Sequence, residues 1–115
     1  MDGKALTWEE AVQWLKSQPG KEELIKACYY DQPLIGAAKR FADSEEWQAV
    51  CELLSAWIPG KVLDLGAGNG IASYAFANAG CTVTALEPDP SNIVGAGAIK
   101  QLSQESNLPI NVVES

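Results

Sequence analysis

Apolar positions recur at helical spacing through residues 1–60 and then gather into short runs punctuated by glycine and proline. Thr7-Trp8-Glu9-Glu10 reads as a capping box. Trp8, Ala11, Val12 and Leu15 follow on one face until Pro19-Gly20 ends the run. A second helix is predicted over Lys21 to Tyr30, carrying Leu24, Ile25, Cys28 and Tyr29 on one side and stopping near Asp31-Gln32-Pro33. A third, shorter one spans Leu34 to Phe41. Asp43-Ser44-Glu45-Glu46 is a further capping signal, after which Trp47, Val50, Cys51, Leu54 and Trp57 form a wide apolar stripe up to Pro59-Gly60. That stripe predicts a helix packed on a sheet.

The periodicity changes at Val62-Leu63-Asp64-Leu65, an apolar run interrupted by one acid and followed by Gly66-Ala67-Gly68-Asn69-Gly70. It reads as a buried parallel strand feeding a tight turn, with a crossover helix from Ile71 to Ala79 stopped by Gly80. Cys81 to Glu87 is the second strand, placed parallel to and beside the first by a right-handed crossover. Asp89-Pro90-Ser91 should open the next helix, with Pro90 where a missing N–H costs nothing. Ile93, Val94, Ile99 and Leu102 are its apolar face, and Gly95 and Gly97 read as close-packing positions. Ile110 to Glu114 is the third strand. The predicted class is α/β, a helical cap over residues 1–60 followed by β-α-β-α-β over 61–115, together one compact domain.

Composition narrows the function classes. At 115 residues, 47% hydrophobic and 20% charged, the chain has an ordinary globular make-up. A formal charge of −7 repels phosphate backbones and anionic membrane surfaces, so nucleic acid is not an expected partner. Cys28, Cys51 and Cys81 are scattered without a C-x-x-C pair, and there is no histidine. This argues against a disulfide framework and a zinc site, and makes the three thiols small buried hydrophobes of a reducing compartment. With no signal-like start and no membrane-length apolar run, a cytoplasmic location is expected. The four tryptophans, Trp8, Trp14, Trp47 and Trp57, read first as core and interface anchors.

The glycine turn carries the candidate chemistry. Without Cβ atoms, glycines adopt positive φ and let backbone amides approach a ligand, and Asp64 lies at the carboxyl end of its strand, where open α/β sheets bind ligands. The dinucleotide fingerprint G-x-G-x-x-G/A is not met: counted from Gly66 its last place falls on Ile71, and from Gly68 on Ser73. What stands here is D-x-G-x-G-x-G. A second acid, Glu87, closes the second strand ahead of Pro88-Asp89, at about the distance past the glycines where a ribose-binding carboxylate belongs. Taken alone, Glu87 has as its lesser alternative a solvated acid opening a turn before Pro88.

In these two motifs, from about Lys61 to Ser115, the chain resembles the class I S-adenosylmethionine (SAM) dependent methyltransferases, and in particular their N-terminal SAM-binding half. The resemblance implies a Rossmann-like fold and in-line transfer of the SAM methyl group, leaving S-adenosylhomocysteine, to an acceptor expected to be a small molecule. Asp64 would face the methionyl amine, Gly66, Ala67, Gly68 and Gly70 would shape the cavity, and Glu87 with Pro88 and Asp89 would hold the ribose side. No catalytic base and no metal are implied. In the family, helices ahead of the first strand often cap the SAM pocket, so the segment around Tyr29-Tyr30-Asp31 and Arg40 is expected to fold over the cofactor turn as part of a lid, with Tyr30 the first candidate.

The family builds seven strands in the order 3-2-1-4-5-7-6, and this sequence holds the first three. The fold expected is therefore a truncated one, inactive alone, with its first strand on an open edge. Such an edge invites a homodimer or a partner that completes the sheet. A non-catalytic SAM-binding or structural subunit of the same fold is the rival reading, and a NAD-binding domain a third.

Overall fold

The computed structural model describes residues 5–115, and within them the chain forms six helices and a three-stranded parallel sheet. The elements run α1 (Trp8–Lys16), α2 (Glu22–Ala27), α3 (Leu34–Ala42), α4 (Glu45–Leu53), β1 (Lys61–Leu65), α5 (Ile71–Asn78), β2 (Thr82–Leu86), α6 (Ala96–Ser106) and β3 (Ile110–Val113). The class is α/β, a helical cap followed by β-α-β-α-β, with a parallel sheet of the Rossmann-like kind, as the sequence predicts. The sheet order is β1-β2-β3, in a register that sets Asp64 beside Ala85 and Leu65 beside Leu86.

Local signals start and stop the helices where expected in most places. Thr7 caps α1 reciprocally with Glu10, and Ser44 accepts from the Trp47 amide to open α4. Gly80, at φ +91°, closes α5, its amide bonding to Ala77 and that of Cys81 to Phe76. The second helix is shorter than its pattern, ending at Ala27, because the chain turns through a closing motif of the same kind. Here the left-handed position is held by Tyr29 (φ +60°), with Tyr29 N–H on Lys26 and Tyr30 N–H on Ile25.

The start of α6 corrects the sequence reading. The helix opens at Ala96 and not near Asp89, since local side-chain bonds claim the intervening backbone. Asp89 Oδ1 accepts from Ser91 N–H, and Ser91 Oγ accepts from the Ile93 and Val94 amides. The Ala96 amide then bonds to the Asp89 carbonyl. A side chain at Gly95 would strike that same carbonyl, and one at Gly97 would strike Asn92. Both glycines therefore sit at close-packing positions.

The packing is in three layers. Val83, Ala85 and Ile110 on one sheet face meet Ala77 of α5 and Ile99 of α6. Beyond these helices a second core joins Ala37, Ala38 and Phe41 of α3 and Trp47 of α4 to Ile71, Tyr74 and Ala75 of α5 and Leu102 of α6. Helix α5 lies between the sheet and the cap, which is why it is apolar nearly all round. Helix α4 does not take the sheet-packed place its stripe predicts. Trp47 stacks edge-on to Phe76 and beside Phe41, so it docks on helices.

Three further expectations are corrected. Among the described residues helices cover one sheet face, so β1 is not a buried strand: Leu63 is 58% and Leu65 69% exposed. Of the tryptophans only Trp47 is a core anchor, while Trp8, Trp14 and Trp57 are exposed. Of the cysteines only Cys81 is buried, Cys51 being half-buried and Cys28 exposed, and all three are free thiols. No helix among the described residues is long and apolar enough to cross a membrane.

Candidate functional site

The carboxyl ends of β1 and β2 bring the two sequence motifs together. Gly66, Gly68 and Gly70 all take positive φ, at +64°, +59° and +88°. This winds the backbone into a compact turn, pinned by Ala67 N–H on the Leu86 carbonyl and Gly70 N–H on the Ala67 carbonyl. The turn closes onto Glu87. The Gly68 amide donates to Glu87 Oε1 at 2.8 Å, and the Asp89 amide donates to Oε2 at 2.9 Å. Glu87 is 8% exposed, so it is not the solvated acid that its place before a proline would also allow.

The three glycines are required for different reasons. A Cβ on Gly70 would come within 3.0 to 3.3 Å of three atoms of the Ile99 side chain, so Gly70 lets α6 pack against the turn. A Cβ on Gly66 or Gly68 would meet nothing within 4 Å. Their glycine character serves the left-handed backbone and leaves open space beside it. That open side lies next to a buried carboxylate already fixed by two amides. Each carboxylate oxygen has two acceptor positions, and each here spends one on the protein. One acceptor position remains on each.

Asp64, the fourth residue of β1, is half-buried on the helix-covered face, where Ser73 Oγ donates to its Oδ2 at 2.7 Å. Pro88 is exposed at the bend after β2, and Asp89 spends Oδ1 on the Ser91 turn. The side chain of Tyr30 is engaged within the cap: its hydroxyl accepts from Trp8 Nε1 at 3.3 Å, and the two rings meet edge to face, centroids 6.1 Å apart. The cap reaches the turn through its neighbour instead. Asn69 Nδ2 donates to the carbonyl of Tyr29 at 3.0 Å.

Tyr29 is braced from its own side by Phe41, at a ring separation of 5.3 Å, and by Arg40, whose guanidinium carbon sits 5.1 Å from the ring centre. Arg40 in turn grips Asp31 through two hydrogen bonds of 3.0 and 2.8 Å and the Lys26 carbonyl through a third. The paired guanidinium holds the Asp31 carboxyl below its ordinary value, burial opposing it, and Arg40 is raised in return.

Sequence reasoning did not single out Ser73 or Asn69, and it took the segment around Tyr29 as part of a lid without marking the Tyr29 carbonyl. A serine in the first turn of a crossover helix otherwise rich in alanine was a readable signal for the first. The Tyr29 carbonyl carried none, since its role depends on a left-handed turn taken by a non-glycine residue. No group of acids and cysteines that could hold a metal ion occurs among the described residues.

Comparison with known proteins returns little beyond shape. No family model and no curated protein matches the chain. Among solved structures, the crystal structure of the PH0226 protein from Pyrococcus horikoshii OT3 is similar, with 19% identity and a TM-score of 0.45 over 64% of this chain. The match covers 34% of that protein, so this chain spans about a third of its length.

Proposed function

We propose that the turn after β1 and the carboxylate after β2 form the binding site for S-adenosylmethionine, and that this chain is the SAM-binding portion of a class I methyltransferase acting on a small-molecule acceptor. The observation that supports this best is the contact between the motifs. Gly68 N–H holds Glu87 Oε1 at 2.8 Å, beside Gly66 and Gly68, where a Cβ would meet no described residue within 4 Å. In this reading Glu87 accepts from both ribose hydroxyls, Asp64 faces the cationic amine of the methionyl end, and Gly66, Ala67 and Gly68 present backbone to the space between. Bound SAM would supply an electrophilic methyl on its sulfonium, and the chain's own part is to hold and orient it. The site offers no phosphate-cradling fingerprint, which favours SAM over a dinucleotide.

Thermal unfolding with added ligands tests the assignment, because a ligand selective for the folded state raises the melting temperature. SAM and S-adenosylhomocysteine should each shift it upward in a concentration-dependent way, and NAD should not. A shift with NAD alone would overturn the assignment. Glu87→Gln should abolish the SAM shift while leaving the unliganded fold intact enough to melt cooperatively.

A further inference from the structure

We infer that Ser73 is the residue that positions Asp64 for its ligand, a role distinct from helix packing. Ser73 is fully buried in the first turn of α5, and its Oγ donates to Asp64 Oδ2 at 2.7 Å, from helix to strand. Packing alone does not call for a hydroxyl there: the same helix uses Ala72, Ala75 and Ala77, and two of these are buried. A buried serine in a helix ordinarily satisfies its proton on a carbonyl one turn back. Here the single proton goes to a carboxylate.

The consequence is directional. With Oδ2 held, the carboxylate is locked in one rotamer, while Oδ1 takes no hydrogen bond from any described residue and is left for an incoming donor. A preset carboxylate avoids the entropic cost of ordering it when the ligand arrives. This inference rests on the SAM reading, in which the donor is the methionyl amine.

Two thioethers that share the adenosyl group test it. S-adenosylhomocysteine carries the amino-acid tail and 5′-methylthioadenosine lacks it. By titration calorimetry, Ser73→Ala should raise the Kd for S-adenosylhomocysteine about tenfold, the scale of a hydrogen bond to a charged group. The Kd for 5′-methylthioadenosine should stay unchanged. Ser73→Thr, which keeps the hydroxyl, should restore most of the loss. On an Asp64→Asn background Ser73→Ala should add nothing, since the two act through one contact. Equal weakening of both ligands, no weakening, or additivity with Asp64→Asn would overturn the inference while leaving the cofactor reading in place. Failure of the unmodified protein to bind either thioether or SAM would overturn the cofactor reading itself and this inference with it. Should circular dichroism show Ser73→Ala unfolded, Ser73→Cys, similar in shape and a poor donor, is read against the same outcomes.

Discussion

Asn69 donates its side-chain amide to the main-chain carbonyl of Tyr29, 3.0 Å away, and this bond fastens the helical cap to the glycine turn. Asn69 is buried between two glycines in left-handed conformations, and Tyr29 holds a left-handed position usually given to glycine. Two local distortions thus meet at one hydrogen bond. The motif that faces the candidate ligand is stiffened by a segment that precedes the sheet.

Asn69→Ala should therefore cost about 1–3 kcal/mol in urea unfolding, because the Tyr29 carbonyl loses its partner in a poorly solvated place. Amide hydrogen exchange should speed up over residues 22–31 as well as in the turn. Faster exchange confined to the turn would show that the cap is held by packing alone.

Gly66→Ala and Gly70→Ala should separate backbone strain from crowding. Both place a side chain at positive φ, a penalty of about 1–2 kcal/mol. Only Gly70→Ala also presses on Ile99, which should add about 1–3 kcal/mol. The prediction is a clearly lower unfolding midpoint for Gly70→Ala, with Gly66→Ala closer to the parent in stability. Equal losses would mean that α6 yields to the extra methyl.

The Asp31–Arg40 pair gives a pH signature. Arg40 lowers the Asp31 carboxyl in the folded chain, so the pair's contribution is fully present above the unfolded value of about 3.9 and fades as pH falls through the lower folded value. The side chains are partly solvated, and about 0.5–1 kcal/mol is the expected size. Asp31→Asn should be less stable than the parent by that amount near neutrality. The gap should narrow as pH falls below about 4 and close once the folded carboxyl is protonated. A gap that persists at pH 2 would assign the effect to packing.

The free edge of β1 bears on association. Leu63 and Leu65 share the uncovered face of an edge strand whose outward backbone groups have no strand to pair with among the described residues. Pairing of two first strands, antiparallel about a two-fold axis, is the proposed remedy. Light scattering should show concentration-dependent association, reduced by Leu63→Lys with Leu65→Lys. A parent protein that stays monomeric at micromolar concentration would refute it.

What the sequence determined by itself is whatever its local signals decide: the strands and crossover helix around the glycines, the caps at Thr7 and Ser44, the parallel order of the sheet, and the meeting of Gly68 and Glu87 at its carboxyl edge. These follow from periodicity, positive-φ positions and the chirality of crossovers, all of which act over a few residues or one supersecondary unit. Tertiary structure decided the rest. Whether Trp47 met a helix or a sheet, whether Leu63 was buried, and where α6 began depended on which surfaces were present to cover them and on competing side-chain bonds at Asp89 and Ser91. Burial and long-range hydrogen bonding are properties of the assembled neighbours. A pattern along one strand or helix specifies an apolar face but not what will lie against it.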